Sequence, residues 1–74
     1  MTPGDAATGS TYRFVLREPD GGRTRFLGRL RSKDLRHPEA PDPPGRGPLW
    51  WITSPTGAHT FVRESEVLEA APAP

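Results

Sequence analysis

The stretch Thr11-Tyr-Arg-Phe-Val-Leu-Arg-Glu-Pro-Asp-Gly-Gly-Arg-Thr-Arg-Phe-Leu-Gly-Arg-Leu-Arg-Ser32 decides the fold. Its first part alternates, with Tyr12, Phe14 and Leu16 on one side and Arg13, Val15 and Arg17 on the other. Its last part alternates again, with Thr24, Phe26, Gly28 and Leu30 opposite Arg23, Arg25, Leu27, Arg29 and Arg31. A period of two is the signature of a half-buried strand. Between the two runs, Pro19 and Asp20 suit the centre of a type I turn, and Gly21 suits the left-handed residue that follows. Such a loop pairs Glu18 with Gly22, Arg17 with Arg23, Phe14 with Phe26 and Tyr12 with Gly28. Every apolar side chain but Val15 and Leu27 then shares one face. A slip by one residue would turn arginines into the core. A helix over 24–36 fits less well, because Leu35 leaves the apolar stripe and Gly28 would cost about 1 kcal/mol at its centre.

The same turn chemistry recurs at Ser54-Pro55-Thr56-Gly57-Ala58, between the runs 49–53 and 58–63. It pairs Ser54 with Ala58, Ile52 with Thr60, Trp51 with Phe61 and Trp50 with Val62. One face then holds Trp50, Ile52, Thr60 and Val62, and the other holds Trp51, Thr53, His59 and Phe61. Beyond it, Ser65-Glu66-Val67-Leu68-Glu69 fits a short helical turn or a last short strand.

The rest of the chain is sparser. Residues 1–10 read as a flexible arm and 70–74 as a flexible tail, leaving one small domain over 11–69. Lys33 to Pro48 holds five prolines and two glycines, which makes it a long loop. Pro41-Asp42-Pro43-Pro44 matches the short P-x-x-P pattern of proline-rich ligands. The spacing of four or five short strands, the long loop, the tryptophan-bearing third strand and the closing Val62-Arg-x-Ser-x-Val-Leu68 resemble the SH3-like and Tudor-like small barrels. The resemblance implies an all-β fold, a small antiparallel barrel of 4–5 strands, and binding of peptides, modified side chains or nucleic acid rather than one fixed function.

Composition bounds the function. Seventy-four residues with 32% hydrophobic content and ten prolines leave a thin core. The absence of cysteine excludes disulfides and thiolate metal sites. The first ten residues lack a basic start and an apolar run, and no stretch has the length of a membrane span, so a cytoplasmic location without membrane contact is expected. Nine arginines against one lysine, with abundant Pro, Ala and Gly, fit a GC-rich coding sequence. Residues 1–36 carry eight basic and four acidic groups, and residues 37–74 carry two and five. The chain is therefore polarised.

Catalysis is not expected. His37 and His59 stand far apart, and neither has an acidic neighbour in a pattern that makes a base or a metal site. No nucleophile-elbow, phosphate-loop or zinc-protease motif occurs. No metal and no cofactor are implied. Two surfaces remain. Adjacent strand residues point to opposite faces, so Trp50 belongs to the core and Trp51 to the outer face with Phe61 and His59. An exposed aromatic group of this kind, with the proline-rich loop, points to a protein partner. Arg13, Arg17, Arg23, Arg25, Arg29 and Arg31 form the other surface. Alternate strand residues lie about 6.6–6.8 Å apart, close to the spacing of successive phosphates, and arginine binds phosphate bidentately. A non-catalytic protein-binding module is the first expectation, and nucleic-acid binding through the arginine face is the alternative.

Overall fold

A computed structural model describes residues 3–35, 45 and 47–73. Five antiparallel strands form one open sheet: β1 Thr11–Arg17, β2 Arg23–Leu35, β3 Leu49–Thr53, β4 His59–Arg63 and β5 Val67–Pro72. Their spatial order is β4-β3-β2-β1-β5. Two 3-10 turns, Pro3–Asp5 and Glu64–Glu66, complete the described elements. The protein is all-β, as the alternation implied.

Both hairpins have the expected register. Phe14 lies opposite Phe26 and Tyr12 opposite Gly28 in the first, and Trp51 opposite Phe61 in the second. The two turns close alike. Glu18 N–H donates to the Gly22 carbonyl and Gly21 N–H to the Glu18 carbonyl, both at 2.9 Å. Ser54 with Ala58 and Gly57 with Ser54 repeat those two bonds at the same length. Gly21 and Gly57 both take φ 89°, the left-handed conformation that excludes most side chains.

One core joins the strands. Phe14, Leu30, Trp50 and Ile52 are fully buried, and Tyr12, Leu16, Val62, Val67 and Ala70 pack around them. Strand β2 spans both halves of the sheet by bending. Leu30 pairs with Ile52 but Ser32 with Trp51, so Arg31 is an extra residue, and a second irregularity lies between Ser32 and Leu35. Such bulges bend a strand and raise its twist.

Three segments differ from the sequence-based expectation. Residues 3–10 were expected as a loose arm, but they pack against the domain. Ala6 is buried, Ala7 N–H donates to the Tyr12 hydroxyl at 2.7 Å, and Gly9 N–H donates to the Leu30 carbonyl at 2.7 Å. Residues 70–74 were expected as a tail. Instead Ala70 and Ala71 lie in β5 opposite Phe14 and Arg13, and Ala70 is fully buried. A small residue fits there because Phe14 fills the space. Pro72 is tolerated because β5 is an edge strand. The stretch read as a loop from Lys33 begins as strand, since β2 runs to Leu35. Most of the proline-rich loop, with His37 and the Pro41–Pro44 motif, lies outside the described residues.

Lys33 ties the N-terminal segment down. Its ammonium donates to the carbonyls of Gly4 at 3.1 Å and Ala6 at 2.9 Å, and sits 5.3 Å from the centre of the Trp50 ring. Charge-assisted bonds and a cation–π contact of this kind are worth more than neutral bonds. Lys33→Ala is expected to lower the urea midpoint by the equivalent of about 1–2 kcal/mol. It is also expected to speed amide exchange at Ala7 more than at Phe14. Equal protection at both amides in the variant would contradict the tether.

Candidate functional site

Residues opposite one another across a sheet share a face, so the register maps the outer surface directly. On β1 and β2 the facing pairs are Arg17 with Arg23, Val15 with Arg25, Arg13 with Leu27, and Thr11 with Arg29. Arg29 is also opposite Thr53, Thr53 opposite His59, and Trp51 opposite Phe61. The six arginines of interest are all exposed. Among the described residues none of them pairs with a carboxylate. Arg17 and Arg23 face each other with like charge, an arrangement that an isolated hairpin disfavours.

The aromatic residues form the other end of this surface. Trp51 and Phe61 have near-parallel rings, 21° apart with centroids 6.5 Å from each other, and His59 lies 5.7 Å from Trp51 and 6.4 Å from Phe61. Those separations exceed face-to-face stacking, so the rings are offset neighbours rather than a stack. Phe61 is 54% exposed, and Trp51 is half-buried. The indole Nε1–H of Trp51 donates to His59 Nδ1 at 3.0 Å. That bond assigns the neutral imidazole proton to Nε2.

Arg31 connects the two ends. Its guanidinium carbon sits 5.5 Å from the centre of the Trp51 ring, in range for a cation–π contact. The strand register explains the meeting: Arg29 lies opposite Thr53 and Leu30 opposite Ile52, so Arg31 comes next to Trp51 on the same outer face. Nothing local in the sequence signals this contact, because the β2–β3 register is set across the proline-rich segment rather than by a short turn. Leu27 is 41% exposed and forms, with Val15, the floor of a shallow depression of about 270 Å³ between Arg13 and Arg25.

The two remaining classes of site are not assembled by the described residues. No group of three or more His, Asp or Glu among them is placed to hold a metal ion. No helix among them is long and apolar enough to cross a membrane. Comparison of the chain with family models, with curated proteins and with solved structures gives no match.

Proposed function

We propose that this protein is a non-catalytic binding module whose outer sheet face takes a single strand of nucleic acid. The observation that carries the reading is the contact of Arg31 with Trp51, which makes the arginine row and the aromatic rings neighbours on one surface. Single-strand binders combine these two elements: cations follow the phosphates, and aromatic side chains stack on bases of any identity. Among the described residues no carboxylate pairs with these arginines, which leaves their charges available to an anionic ligand. The strand order, the bent second strand and the 3-10 turn before the last strand also resemble the SH3-like and Tudor-like small barrels, and we extend the proposal to that architecture.

A protein partner is the second reading, favoured by the exposure of Phe61 and Leu27. Arginine charge reversal separates the two. Arg25→Glu/Arg29→Glu is expected to abolish binding of fluorescent single-stranded DNA or RNA at low salt, with the circular dichroism spectrum unchanged. Undiminished binding by the folded double variant would refute the role of this face.

A further inference from the structure

The outer face has a concavity of about 400 Å³ where β2 and β3 meet, lined by Thr11, Arg29, Arg31, Thr53 and Ser54 over the Gly28 backbone. No carboxylate lines it. Its two cations are held from behind. Arg29 Nε donates to the Gly9 carbonyl at 3.0 Å, within a turn whose Gly9 has φ 91°. This use of Nε leaves both terminal amino groups of the guanidinium for another acceptor. Arg31 lies against the Trp51 ring at 5.5 Å. Thr53 stands between Arg29 and His59 in the sheet register, so the concavity adjoins the aromatic rings.

We infer that this concavity is a phosphodiester subsite, holding one backbone phosphate between Arg29 and Arg31 while an adjacent base stacks on the Trp51–Phe61 rings. The inference rests on the single-strand reading above and narrows it to a place. Guanidinium groups fork onto phosphate oxygens in two parallel bonds, and the hydroxyls of Thr11 and Thr53 add neutral donors. Preorganisation by Gly9 and Trp51 reduces the ordering that binding requires. Stacking needs an unpaired base, so the subsite excludes a duplex.

The test uses the full chain with three probes: thymidine trinucleotide, oligothymidylate of about twenty nucleotides, and inorganic phosphate. Trp51 emission and amide chemical shifts are the readouts. Trp50 is fully buried, so quenching that vanishes in Trp51→Phe reports on Trp51. Arg31→Gln and Arg29→Gln are each expected to weaken trinucleotide binding about tenfold, the scale of one charged hydrogen bond. Arg17→Gln, at the far end of the hairpin, is expected to weaken binding of the long oligonucleotide and to cost the trinucleotide less than either of those two changes. Native amide dispersion in each variant shows that the fold is kept. If the long oligonucleotide binds but the three variants lose affinity equally, the subsite is refuted while the wider face stands. If the long oligonucleotide does not bind, the single-strand reading itself fails. If inorganic phosphate binds as tightly as the trinucleotide and shifts the same amides, the site is one for a free anion, and the phosphodiester assignment is overturned.

Discussion

Trp50→Ala is expected to remove most of the stability of this domain. Trp50 is fully buried in β3, and truncating a core tryptophan costs about 3–5 kcal/mol through lost transfer energy and the cavity left behind. A chain of this size has roughly 4–11 kcal/mol in total. Two further groups lose their partner with the indole. Its Nε1–H donates to Glu64 Oε2 at 3.2 Å, which holds the 3-10 turn before β5, and its ring carries the Lys33 ammonium that ties down residues 4–6. The loss therefore reaches both ends of the chain. Trp50→Phe keeps most of the ring volume but not the bond, and is expected to cost about 1–2 kcal/mol. Urea denaturation followed by circular dichroism reads both. A Trp50→Ala protein as stable as Trp50→Phe would show that the core is not centred there.

The second large effect is expected at Gly28, where a side chain has no room. A Cβ there would lie 2.5 Å from Ile52 Cγ2, 3.1 Å from Phe26 Cε2 and 3.2 Å from the Thr53 carbonyl oxygen. Two of these atoms belong to β3, the strand paired with β2. Overpacking a well-filled core costs about 1–3 kcal/mol and sometimes more, so Gly28→Val is expected to lower Tm by more than about 10 °C. Gly4→Ala is the control, since nothing lies within 4 Å of a Cβ there and its φ is ordinary. Pairing Gly28→Ala with Ile52→Ala relieves the closest contact, and the double variant is expected to be more stable than the sum of the two losses by about 1 kcal/mol. Strict additivity would mean that the Gly28–Ile52 approach is not what limits the site.

The fold was legible where two independent signals coincide. At Pro19-Asp20-Gly21 and Pro55-Thr56-Gly57 the turn chemistry fixes a register, and the strand alternation demands the same one, so the cross-strand pairs follow from sequence alone. It was not legible where only one weak signal exists. Nothing local relates β2 to β3, because the proline-rich segment separates them and no short turn sets the register. Ala70, Ala71 and Pro72 read as a tail because small residues carry little hydrophobic signal. They form a strand because Tyr12 and Phe14 already supply the bulk across the pair. Among residues 4–10 the side chain that joins the core is Ala6, and the segment is held through its backbone groups by Tyr12, Arg29, Leu30 and Lys33, a set of contacts that no composition reveals. The candidate site follows the same division. The outward placement of Trp51, Phe61, His59 and the arginines follows from alternation, whereas the approach of Arg31 to Trp51 depends on the β2–β3 register, which no short turn sets.

The measurement that tests the central claim most directly is the affinity of the wild-type protein for single-stranded oligothymidylate as salt is raised, followed by Trp51 emission. Quenching is expected at low salt, with a linear fall of log affinity with log salt and a slope near −0.7 for each phosphate bound. Duplex of the same length is predicted to bind more weakly. No binding at low salt, where phosphate contacts are strongest, would contradict the account, and so would binding whose affinity is indifferent to salt.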